Sequence, residues 1–68
     1  MNTSDSTRSL KLLRLPAVMD RVGLRRTSIY KLISAGTFPA PKKIGRASLW
    51  VEYEVDQWIH QFLAGGDE

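Results

Sequence analysis

Residues 15–36 read Leu15-Pro16-Ala17-Val18-Met19-Asp20-Arg21-Val22-Gly23-Leu24-Arg25-Arg26-Thr27-Ser28-Ile29-Tyr30-Lys31-Leu32-Ile33-Ser34-Ala35-Gly36, and the spacing of their apolar side chains decides the fold. Leu15, Val18, Met19 and Val22 fall at i, i+3, i+4 and i+7, one stripe of an amphipathic helix. Pro16 suits its first turn, where a missing N–H costs nothing. Gly23 suits the left-handed residue that follows a last turn. A second helix over about Arg25–Ala35 turns Ile29, Leu32 and Ile33 toward the core, and Gly36 closes it. Two short helices joined by a glycine-containing turn make a helix-turn-helix.

The solvent face of the second helix is informative. At 100° per residue, the direction opposite Ile29, Leu32 and Ile33 points at Thr27, with Tyr30, Lys31 and Ser34 on its flanks. Arg26 lies nearer the edge, but a long side chain in the first turn can swing outward. This face carries short hydroxyls, one phenol and two cations, with no carboxylate. A purely structural helix face usually mixes both signs for i,i+4 pairing. An acid-free polar face on the second helix of such a unit is what a major-groove reader presents.

Toward the C-terminus, Phe38-Pro39-Ala40-Pro41 forbids helix and imposes an extended connection. Lys42-Lys43-Ile44 and Ser48-Leu49-Trp50-Val51 bracket Gly45-Arg46-Ala47, a short β-hairpin with glycine at the bend. Arg46 belongs at its tip, with Lys42 and Lys43 on one arm. A basic hairpin beside a helix-turn-helix forms a wing able to reach phosphates or enter the minor groove; the plainer reading is a charged, solvated turn. The last helix, about Glu52 to Leu63, places Val55, Trp58, Ile59, Phe62 and Leu63 on a core-facing stripe. Its acids Glu52, Glu54 and Asp56 complement the positive end of the helix dipole, so this helix reads as scaffold. Trp50 and Trp58 take core positions, and His60 lies on a polar flank.

Toward the N-terminus, Leu10-Lys11-Leu12-Leu13-Arg14 suits a short edge strand or an extended lead-in. The expected fold is therefore mainly α with a small β-hairpin: a lead-in strand, a two-helix unit, a wing and a C-terminal helix. Residues 10–63 form the winged helix-turn-helix domain, 1–9 a flexible arm and 64–68 a flexible tail.

Composition agrees with one small domain. The chain has 68 residues, no cysteine and one histidine, which excludes disulfides, thiolate metal sites and Cys or His-pair catalysis. Its net charge of +3 hides an asymmetry: ten basic residues against the single Asp20 give +9 over residues 8–46. From Leu49 onward five acids and no Lys or Arg give −5. Such a split suggests a polyanion-binding region followed by a segment that stays clear of it. No apolar run is long enough to span a bilayer, and the polar N-terminus lacks a secretory signal, so a cytoplasmic location without membrane attachment is expected.

With these residues in place, the chain resembles the AlpA family of phage and prophage regulators. These are small DNA-binding proteins related to excisionases, with the winged helix-turn-helix of the MerR superfamily. The matching stretches are Leu12-Leu13-Arg14-Leu15, Gly23-Leu24, Thr27-Ser28-Ile29-Tyr30-Lys31-Leu32-Ile33 and Gly36. They continue through Phe38-Pro39-Ala40-Pro41, Lys43-Ile44-Gly45-Arg46, Trp50 and Glu54-Val55-Asp56-Gln57-Trp58-Ile59. The resemblance implies sequence-specific binding to double-stranded DNA and regulation of transcription, often of an integrase gene. The alternative it carries is an excisionase, or recombination directionality factor, that shapes DNA and recruits an integrase. By position, Arg26, Thr27, Ser28, Tyr30 and Lys31 would read the major groove, with Arg25 at the helix start, and Arg46 would be the wing's groove contact. Three positions depart from the family's habit. Arg25 replaces a capping Ser, a loss of about 1 kcal/mol; Ala40 replaces a basic residue; Tyr53 stands where a small capping residue often begins the last helix.

The candidate DNA-binding set is thus Arg25, Arg26, Thr27, Ser28, Tyr30, Lys31, Lys42, Lys43 and Arg46. No catalytic constellation or phosphate-binding glycine loop is present, so no enzyme activity, cofactor, metal or small-molecule substrate is expected. One reading unit with one wing makes few contacts, so cooperative binding of further copies along DNA is expected.

Overall fold

Pro16 stands in the first turn of α1 (Leu15–Val22), which begins after Arg14 in extended conformation. The computed structural model describes residues 11–65. The arm over 1–9, Leu10 and residues 66–68 lie outside the described residues. Val18 is the fully buried member of the α1 stripe, with Leu15, Met19 and Val22 packed around the core. Gly23 ends the helix at φ 74°, its N–H donating to the Met19 carbonyl at 2.8 Å. A side chain there would strain the backbone.

Three residues later α2 (Arg26–Ser34) starts, one residue inside each expected boundary. Arg25 occupies the N-cap with extended backbone and makes no side-chain capping bond. The exposed N–H groups of that first turn are therefore left to solvent or to a ligand. Ile29 is fully buried, and Leu32 and Ile33 pack against the core as their spacing requires.

The hairpin is formed by β2 (Lys42–Ile44) and β3 (Ala47–Val51), antiparallel, with Lys42 opposite Leu49, Lys43 opposite Ser48 and Ile44 opposite Ala47. Its loop is the two residues Gly45-Arg46, with Gly45 alone at positive φ (59°). Positive φ at the first loop residue only is the pattern of a type II′ hairpin turn. The lead-in is a true strand: β1 (Leu12–Leu13) pairs antiparallel with β3, Leu12 opposite Val51 and Leu13 opposite Trp50. The sheet order is β1-β3-β2, and β3 is central.

From Val51 the chain passes directly into α3 (Glu52–Gly65). The Glu52 N–H donates to the Lys11 carbonyl at 2.8 Å, so the lead-in strand also secures the start of this helix. The core comprises Leu13, Val18, Ile29, Phe38, Trp50 and Val55, drawn from every layer. Trp50, fully buried, donates its indole N–H to the Pro39 carbonyl at 3.0 Å. Three helices and a small sheet in this order make a winged helix-turn-helix.

Two expectations about α3 need correction. Phe62 and Leu63 continue its apolar stripe in sequence but are 61% and 74% exposed. The helix outruns the body it packs on, so only Val55, Trp58 and Ile59 meet other elements of the core. The helix also extends to Gly65, two residues beyond Leu63.

Candidate nucleic-acid interface

Burial of Ile29 on one side of α2 fixes which residues face outward. Arg26, Thr27, Ser28, Tyr30, Lys31 and Ser34 are all exposed. Five of them, Arg26, Thr27, Tyr30, Lys31 and Ser34, border one shallow, open surface depression. Among the described residues, no carboxylate lines it. Arg25 and Ser28 are exposed but do not line it. Ion pairs of Arg25, Arg26 and Lys31 with acids are absent among the described residues.

The phenol of this face is anchored from beneath. Tyr30 is 38% exposed, yet its ring meets Trp50 edge-on with centroids 6.3 Å apart. That contact couples the outward face of α2 to the central strand of the wing sheet.

In the wing, Lys42, Lys43 and Arg46 are all exposed, with Arg46 in the two-residue loop. Successive strand residues point to opposite sides. The register therefore puts Lys43 with Ser48 and Trp50 on the side facing the helices, and Lys42 with Leu49 on the other. Lys42 also borders a different depression, with Tyr53, Glu54 and Gln57 of α3. The sequence places both lysines on one arm; the pleat separates them.

Arg21 is the residue whose role the sequence concealed. Its guanidinium donates through Nη2 to Glu52 and through Nη1 to Asp56, each at 2.6 Å. The two carboxylates, Glu52 first, hold its proton more tightly than is usual for an arginine. Arg21 therefore clasps α1 to α3 and is withdrawn from the basic set. Glu52 and Asp56, read in sequence as helix-dipole partners, are its ligands. No signal in the sequence marks this pairing, because the partners lie 31 and 35 residues away.

No group of three His, Cys, Asp or Glu able to hold a metal ion occurs among the described residues. No helix among them is long and apolar enough to cross a membrane.

A winged helix-turn-helix with an acid-free, cationic outer helix face and a basic wing is the class of protein defined by this fold and surface. The family model described as Prophage CP4-57 regulatory protein (AlpA) matches residues 11–63, the helix-turn-helix, the wing and most of α3. The chain belongs to that family. It is 35% identical over 60 residues to the DNA-binding transcriptional activator AlpA of Escherichia coli (strain K12), covering 78% of this chain and 86% of the relative. It is 39% identical over 56 residues to the uncharacterized protein ORF88 of Enterobacteria phage P4, covering 81% of this chain and 64% of that protein. No solved structure matches it.

Proposed function

We propose that this protein is a sequence-specific double-stranded DNA-binding regulator of transcription of the phage and prophage type. The observation that carries this reading is the acid-free depression of α2, where Arg26, Thr27, Tyr30, Lys31 and Ser34 face solvent together. Likeness to a DNA-binding transcriptional activator supports it. In this reading α2 lies in the major groove, where Thr27 and Lys31 address base edges. Arg25, Arg26 and Ser28 sit at the uncapped helix start and take backbone phosphates, which favour the positive end of a helix. Arg46 at the wing tip reaches into or beside the minor groove. Lys43 projects on the same side as α2 and meets phosphate. Further copies on neighbouring sites supply the affinity that a single small unit lacks.

The test is a mobility-shift titration on the DNA flanking the gene, with footprinting. Phosphate contacts release counterions, so log affinity is expected to fall linearly with log salt, by about 0.9 per phosphate neutralised. Thr27 and Lys31 substitutions are expected to change which sequence is preferred, whereas Arg46→Ala lowers affinity across sequences or relaxes an A·T preference. Binding insensitive to salt, or an unchanged preference in the Thr27 and Lys31 variants, would remove this assignment.

A further inference from the structure

Tyr30 marks the side of α2 that faces the wing, because its ring meets Trp50 of β3 edge-on. Arg26 lies one helical turn earlier on the same row. At 100° per residue Thr27 and Lys31 lie further round the helix, away from the wing. On the hairpin, the row facing the helices is Lys43, Ser48 and Trp50. Lys43 stands opposite Ser48, and Ser48 and Trp50 are two apart on one strand. Trp50 is buried, Ser48 is half-buried and Lys43 is exposed. The way from α2 to the wing tip therefore runs over Tyr30, Ser48 and Lys43.

The chemistry of this saddle has one sign. From Gly23 to Val51 the chain contains no Asp or Glu. Of the acids that follow, Glu52 and Asp56 are turned to Arg21. Glu54 borders the depression it shares with Lys42, on the other side of the sheet from Lys43. Among the described residues, neither the Tyr30 nor the Ser48 hydroxyl is hydrogen-bonded to a protein group. Two hydroxyls and an ammonium are donors for anionic oxygen.

The dimensions say which anion crosses here. Arg46 is four residues along the wing from Trp50, about 13 Å at the rise of a strand. Tyr30 lies on the far side of Trp50, its ring centroid 6.3 Å away. In scale this is half a turn of B-DNA, about 17 Å, the step from a major groove to the neighbouring minor groove. One sugar-phosphate strand divides those two grooves. With α2 in the first and Arg46 at the second, that strand must pass over the saddle.

We propose that the Tyr30 and Ser48 hydroxyls hold the phosphate backbone of this dividing strand, donating to its phosphate oxygens beside the Lys43 ammonium. The inference rests on the DNA-binding reading above and deepens it. It adds Ser48 to the interface and makes Tyr30 a backbone contact instead of a reader of bases. It also sets a signature: a neutral hydroxyl contributes affinity but displaces no counterion, and it is blind to sequence.

The experiment compares Tyr30→Phe, Ser48→Ala and Ser48→Thr with wild type on the DNA that wild type protects in footprints beside its gene. Mobility shifts at several salt concentrations are combined with ethylation interference. Losing one hydrogen bond to a charged group is expected to weaken binding about tenfold in Tyr30→Phe and in Ser48→Ala. The loss is expected to be equal across DNA sequences, with the log–log salt slope of wild type. Ser48→Thr keeps a hydroxyl and is expected to restore affinity. In each hydroxyl-less variant, interference is expected to disappear at neighbouring phosphates of one strand, which a merely structural role would not produce. Tyr30→Phe keeps its ring on Trp50, and thermal melts check that both variants fold. Wild-type affinity in either variant, while Thr27 and Lys31 substitutions still alter the preferred sequence, would overturn the proposal and leave the DNA-binding reading standing. A changed sequence preference in Tyr30→Phe would return Tyr30 to the bases and also refute it. Salt-insensitive binding by wild type would remove the reading and the proposal together.

Discussion

Tyr30 and Trp50 meet edge to face, with ring centroids 6.3 Å apart and planes at 70°. Trp50 is fully buried, and its N–H donates to the Pro39 carbonyl. The aromatic ring of the outward helix face therefore packs against the wing's central strand and ties α2 to it. An edge-on aromatic pair is worth about 1 kcal/mol beyond the area it buries. Tyr30→Ala is expected to lower the melting temperature by roughly 4–8 °C for a domain of this size. Tyr30→Phe keeps the ring and is expected to melt close to wild type by circular dichroism. Equal losses in the two variants would move the contribution from the ring to the hydroxyl.

Arg21 joins α1 to α3 through two carboxylates on successive turns of one helix. The group is partly open to water, and exposed pairs of this kind contribute about 0.2–1 kcal/mol each, less in high salt. Arg21→Ala is expected to lower the urea midpoint slightly at low ionic strength and less at high ionic strength. DNA affinity is expected to change little, because the guanidinium is committed to Glu52 and Asp56. A large loss of DNA affinity without a loss of stability would show that Arg21 leaves its partners to reach phosphate.

The helix-turn-helix and the wing were legible because their signals are local. The stripe of α1, the Ile29, Leu32 and Ile33 set of α2 and the Gly45-Arg46 loop are each read within one element. What escaped the sequence depends on distance or on the end of a surface. The Arg21 clasp joins residues more than thirty apart, and nothing in the sequence distinguishes Arg21 from Arg25 or Arg26. Phe62 and Leu63 keep the period of a buried stripe, because periodicity records which side of a helix they lie on and not whether anything covers that side. The pleat that parts Lys42 from Lys43 follows only from the register with Leu49 and Ser48. The uncapped start of α2 was legible from Arg25 alone, whose side chain makes no capping bond there.

Gly45 holds φ at 59° in the two-residue loop that presents Arg46. A Cβ at Gly45 would meet no neighbouring atom, so the cost of a side chain there is conformational, about 1–2 kcal/mol for an L-residue in the left-handed region. Gly45→Ala is expected to destabilise the protein by about that amount, and Gly45→Asn by less, since Asn tolerates positive φ. Chemical denaturation measures both. If Gly45→Ala were as stable as wild type, the turn would have adopted another geometry.

The wing supplies the most direct test of how the protein sits on DNA. Lys43 points to the side that carries Trp50 and, through it, Tyr30 of α2, whereas Lys42 points to the opposite side with Leu49. If α2 enters the major groove, DNA lies on the Lys43 side, and only that lysine displaces counterions from the backbone. Lys43→Ala is therefore expected to reduce the log–log salt slope of binding by about 0.9, while Lys42→Ala leaves the slope within error. Arg46→Ala, at the tip between the two sides, is expected to reduce it as Lys43→Ala does. Mobility-shift titrations at several salt concentrations, made on one DNA sequence, measure all three slopes. A slope change in Lys42→Ala with none in Lys43→Ala would turn the wing over, and would place the DNA against the outer side of the sheet, with Lys42 and Leu49.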